Sequence, residues 1–120
     1  MIRKLIASAV VAAALCASSI VDDARKKIKE GKYEEAIAAL EPARKSAPKD
    51  AAITKALVDA HLAYGDFFMF NQQMRPMQKY PSALKQYRQV LVYDKANAKA
   101  KENIATIEGI YKSMGRPVPQ

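Results

Sequence analysis

Residues 31–50 read GKYEEAIAALEPARKSAPKD, and the way this stretch folds decides the architecture of the rest. Ala36, Ile37, Leu40 and Ala43 fall at i, i+1, i+4 and i+7, so they share one face of a 3.6-residue helix, with Glu34, Glu35, Glu41, Arg44 and Lys45 elsewhere around it. Two glutamates in the first turn and two cations in the last complement the helix dipole. Gly31 provides the backbone freedom of a tight preceding turn, and Pro48 biases Ala47 away from helical dihedrals and stops the helix. Pro42 lies inside it and cannot donate to the carbonyl of Ala38, which predicts a bend.

Working outward, Gly31 and Gly65 are 34 residues apart, as are Tyr33 and Phe67. The helix signature returns at a separation of 47, pairing Ala36 with Ala83, Leu40 with Tyr87, Ala43 with Val90 and Pro48 with Lys95, so the second copy carries an insert of 13 residues. Together these residues resemble the tetratricopeptide repeat, a helix–turn–helix unit of about 34 residues. The resemblance spans residues 17–114 and is strongest in the first unit. It departs at Lys95, where a proline is usual, at Lys27, where the family prefers an aromatic, and at the insert.

The resemblance implies an all-α helical solenoid of antiparallel helix pairs, about five helices after the N-terminal leader, wound as a right-handed superhelix. Its first helices would line a concave groove for peptides or partner subunits. Carried over position by position, that groove takes Arg25, Ile28 and Lys29, then Lys55, Asp59 and Leu62, then Lys99, Glu102 and Thr106. Asp59 stands where an asparagine would complete the two-lysine, two-asparagine clamp that some members close on a terminal carboxylate, so that ligand is not implied.

The N-terminus is different in kind. Arg3 and Lys4 precede the uncharged run LIASAVVAAALCASSIV, and small residues cluster at its end, the pattern of a secretory signal peptide. The expected leader is residues 1–19, cut somewhere in 16–19, followed by a helical domain over 20–114 and a tail over 115–120. The protein is then exported, and periplasmic if bacterial. Two alternatives stay open: Cys16 as a lipidation site, although Leu15 precedes it where that signal carries a small residue, and an uncleaved anchor, since residues 5–21 just reach the short end of a membrane span. Cleavage at or after Cys16 leaves no cysteine, so packing and not disulfides must hold the mature chain.

Half of the residues are apolar and 27% charged, which excludes a disordered chain. The formal charge of +8 falls to +6 without Arg3 and Lys4. The lysines are scattered among acidic residues on every helix, the pattern of a solvated surface, while the net charge suits anionic lipid heads, cell-wall polymers or acidic partners.

Further along, Asp22 or Asp23 is placed to cap a helix ending near Glu30 with Ala24 and Ile28 facing inward, and Asp50 to cap the next. In that next helix Ile53, Ala56, Leu57, Ala60 and Tyr64 recur at helical spacing. Phe67, Phe70 and Met74 continue the spacing, so the helix should run through Gly65 to about residue 73, with residues 75–80 as a loop. Pro81 then suits the first turn of a helix burying Ala83, Leu84, Tyr87, Val90 and Leu91. The last helix, near residues 98–114, buries Ala100, Ile104, Ile107 and Tyr111 and ends on a left-handed Gly115 before Pro117.

One histidine, no mature cysteine pair, no Gly-rich phosphate loop and no nucleophile elbow leave metal, nucleotide and acyl-transfer chemistry without their parts. No catalytic residue, cofactor or metal is expected, and the chain does not read as an enzyme. His61 falls on an inner helix face as a packed histidine. Nucleic acid is not an expected partner, because no basic stripe is interleaved with stacking aromatics. Two functions remain: an exported adaptor or scaffold binding a protein or peptide through the groove, or a structural or assembly subunit of an envelope complex. The second would dock through residues 67–77, where Phe67, Phe68, Met69, Phe70, Met74 and Met77 form a candidate patch. A homo-oligomer is compatible with either.

Overall fold

The structure is a computed structural model that describes the backbone of residues 2–120 and the side chains of residues 16–120. Among the described residues it holds five helices and no strand: α1 (Ile2–Lys29), α2 (Tyr33–Ser46), α3 (Ala51–Met69), α4 (Pro76–Tyr93) and α5 (Ala98–Ser113). The fold is all-α, as the repeat pattern implies. The chain forms two compact units, Met1–Leu57 and Val58–Gln120, with the division inside α3.

In the first unit α1 packs on α2. Val21, Ala24, Ala36, Leu40, Ile53, Ala56 and Leu57 are buried there, so the stripe read in residues 31–50 faces inward at Ala36 and Leu40, with Ile37 and Ala43 half-buried. Gly31 adopts φ +77, its N–H donates to Ile28 O, and the N–H of Lys32 donates to Lys27 O. This pair of bonds is a Schellman motif, which requires the left-handed glycine and satisfies the last carbonyls of α1. Asp22 and Asp23 do not cap a helix, because α1 runs continuously past them. Asp23 instead pairs with Lys27 one turn on, at 3.2 Å. Asp50 does cap α3: its Oδ1 accepts from the N–H groups of Ala52 and Ile53 at 3.0 and 3.1 Å.

In the second unit α4 packs on α5, and α3 contributes its C-terminal half. The core joins Val58, Met69, Ala83, Leu84, Tyr87, Val90, Ala100, Ile107 and Tyr111. Gly65 lies inside α3, where a Cβ would sit 2.6 Å from the Tyr87 ring. The missing side chain admits the Tyr87 ring, which explains a helix-interior glycine that otherwise costs about 1 kcal/mol relative to alanine. His61 is buried as expected, its Nδ1 donating to Gln86 Oε1 at 2.8 Å and its ring stacked on Tyr93 with centroids 6.0 Å apart.

The α3–α4 connection differs from its expected form at both ends. α3 stops at Met69, short of residue 73, because Asn71 turns the chain: its N–H donates to Phe68 O and its Oδ1 accepts from the Gln73 N–H. α4 begins at Pro76 and not at Pro81. Arg75 is extended (φ −70, ψ 148), the conformation favoured before proline, and Pro76 takes the first helical position, where no N–H is needed. Pro81 lies within the helix, and beside it Ser82 Oγ donates to Gln78 O. α5 starts on Asn97, whose Oδ1 accepts from the Ala100 N–H, and closes on Gly115 (φ +65) with the same two-bond motif as α1.

Candidate partner-binding surfaces

In the first unit the residues expected on the groove come from α1 and from the start of α3. Arg25 and Ile28 are half-buried, whereas Lys29 and Lys55 are exposed. An apolar cleft of this unit, about 450 Å³, lies elsewhere. It is lined by Ala17 and Ile20 of α1 and by Ala39, Pro42 and Ala43 of α2, among others. Cys16, exposed, stands at its edge. The cleft holds none of the groove positions, and sequence spacing did not point to it because Ala39 and Pro42 fall off the buried stripe of α2.

The second unit holds the remaining groove positions. Asp59 and Leu62 are half-buried, and Leu62 packs against the core. Lys99, Glu102 and Thr106 are exposed on α5. Thr106 Oγ1 donates to Glu102 O, a bond within the helix. Lys99 Nζ donates to Asp66 Oδ2 at 2.9 Å, and the Tyr87 phenol donates to the other oxygen of the same carboxylate. Burial raises the Tyr87 phenol far above the ordinary tyrosine range, and the adjacent Asp66 raises it further. Burial raises Tyr111 as well. Both phenols therefore act as fixed neutral groups.

The candidate patch divides. Phe67, Phe70 and Met77 are 46%, 65% and 48% exposed, whereas Met69 is buried at 9% and Phe68 and Met74 are half-buried. This reverses the expected inward run of Phe67 and Phe70: beyond Gly65 the core meets Phe68 and Met69, because Met69 lies on the Tyr87 side, its Sδ 3.5 Å from the phenol oxygen. Phe68 instead stacks against Tyr64 at 4.6 Å between centroids. The C-terminal tail is also more engaged than its composition suggests. Val118 packs on the core and Arg88 Nη2 donates to Pro119 O at 2.8 Å.

Among the described residues no three His, Cys, Asp or Glu side chains converge as a metal site, and no helix is long and apolar enough to cross a membrane. The leader reading concerns residues 1–19, of which Met1 and the side chains of 2–15 lie outside the described residues.

Helices packed in pairs, α1 on α2 and α4 on α5, each burying a stripe of alanine and larger apolar residues, make an all-α fold of the helical-repeat type. Residues 27–67 match the tetratricopeptide repeat family model, a span running from the end of α1 through α2 into α3. Over that span, about a third of the chain, the sequence is similar to the tetratricopeptide repeat. Comparison with curated proteins and with solved structures found no match.

Proposed function

We propose that the chain is an exported adaptor that binds a protein or peptide partner without catalysis. The observation that carries this reading is the tetratricopeptide repeat over residues 27–67, since such repeats serve as protein-interaction modules. The partner-facing residues are Arg25, Ile28, Lys29 and Lys55 in the first unit, with Asp59, Leu62, Lys99, Glu102 and Thr106 in the second. Lys29 and Lys55 offer exposed positive charge, which suits an acidic segment. The test is co-purification from the producing cell, comparing the natural chain with Lys29→Glu/Lys55→Glu. Both positions are exposed, so the variant should keep its melting temperature and lose the bound polypeptide. Full retention by a folded variant would overturn the reading.

A second reading is favoured by the exposure of Phe67, Phe70 and Met77: a structural or assembly subunit of an envelope complex that docks through this connection. Large apolar side chains gathered in a short exposed stretch are a common mark of an interaction site.

A further inference from the structure

We propose that the α3–α4 connection docks on the surface of an anionic lipid bilayer, with Phe67, Phe70 and Met77 entering the interface and Arg75, Lys79 and Arg116 meeting the headgroups. The proposal rests on the docking role of these residues in the second reading and names the surface they meet.

Phe67 lies in the last turn of α3, Phe70 just beyond it and Met77 in the first turn of α4, so all three border one helix-to-helix turn. Lys79 Nζ reaches back across that turn to Asn71 O at 3.4 Å and lies 5.1 Å from the centroid of the Tyr80 ring. Arg116, from the far end of the chain, is brought to the same turn by its contact with Met77 Sδ at 3.8 Å. Arg75, exposed, immediately precedes α4 in the same turn.

Charge selects the occupant. From Phe67 through Tyr93 the sequence contains Arg75, Lys79, Lys85 and Arg88 and not one Asp or Glu. The carboxylate at the edge of this stretch, Asp66, is already neutralised by Lys99 and bonded by Tyr87. Exposed aromatic and methionine side chains at a turn, with cations beside them and no carboxylate among them, match the two demands of an anionic interface: apolar insertion and electrostatic attraction. A turn that presents its apolar groups outward also suits a deformable surface better than it suits a preformed pocket. An acidic protein could satisfy the charge, and the experiment separates it.

The chain has no tryptophan, so Phe70→Trp places a single reporter at the most exposed of the three positions. The full-length variant is mixed with vesicles of phosphatidylcholine alone or with one-third phosphatidylserine, and with the same vesicles carrying brominated acyl chains. The expected result is a blue shift and quenching by brominated lipid only in the phosphatidylserine vesicles, reversed by high salt and lost with Arg75→Glu/Lys79→Glu. Because the reporter reads its own surroundings, insertion of residues 5–21 elsewhere does not imitate this signal. Equal quenching in both vesicle types, quenching that survives the charge reversal, or a reporter that stays water-exposed would each overturn the proposal. A shift on adding polyglutamate, with none on vesicles, would also overturn it and assign the turn to an acidic protein. Phe67→Ser/Phe70→Ser/Met77→Ser tests the underlying docking role separately: a folded variant that still associates with its envelope partner removes that reading too.

Discussion

A methyl group on Gly65 would lie 2.6 Å from a ring carbon of Tyr87, whose side chain is fully buried. Alanine improves helix propensity by about 1 kcal/mol, but overpacking a closed core costs about 1–3 kcal/mol. Gly65→Ala should therefore lower the stability measured by urea denaturation, and a stabilised variant would show that the ring can move aside. The Tyr87 phenol supplies a second prediction. Tyr87→Phe removes one donor from Asp66 and should cost about 1.5 kcal/mol, the low end for a bond to a charged group, because Lys99 remains on the carboxylate. Burial and Asp66 raise Tyr87, and burial raises Tyr111, so in the folded chain both keep their protons beyond the usual tyrosine range. Above about pH 10 unfolded tyrosines ionise, the unfolded state then binds fewer protons than the folded one, and stability falls as pH rises. Absorbance at 295 nm should show these phenols ionising only as the helical signal is lost. A full tyrosine titration in a chain that is still helical would contradict it.

The helix stripes were the most legible elements, because each depended on a period of 3.6 and on residues that could face only one way. Ala83, Leu84, Tyr87 and Val90 of α4 and Ala100, Ile107 and Tyr111 of α5 are all buried as their spacing requires. Element ends were legible where a side chain or a glycine sets them, as at Asp50 and Gly115. They were not where two prolines competed: Pro76 and Pro81 both suit a first turn, and only the extended Arg75 before Pro76 decides between them. The run from Phe67 to Phe70 was unreadable for a related reason. Four large apolar residues in succession fit any phase of a helix, and the gap left by Gly65 and filled by Tyr87 turns Met69 inward and leaves Phe70 out. Met69→Lys should consequently unfold the second unit, whereas Phe70→Lys should leave its melting temperature nearly unchanged, a contrast readable by circular dichroism. At the start of α5, Asn97→Ala removes the bond to the Ala100 N–H and should cost about 1 kcal/mol. Loss of less than a few tenths would mean that water replaces the cap.

For the whole molecule, the repeat over residues 27–67 and the basic start with its apolar run lead to different measurements. Export with cleavage predicts that the natural protein is about 16–19 residues lighter than the full chain. Intact mass of the secreted protein checks this, and a full-length mass would exclude cleavage. The binding role was the least legible from sequence, since a repeat scaffold defines where partners sit and not which ones they are. It is tested most directly by a photoreactive residue placed in turn at Lys55, Thr106 and Glu41, all exposed, the first two at proposed groove positions and the third on α2. In the living cell, irradiation should join a discrete polypeptide to the chain from Lys55 and Thr106 and not from Glu41. Adducts from Glu41 alone, or from none of the three, would contradict a partner-binding role for these faces.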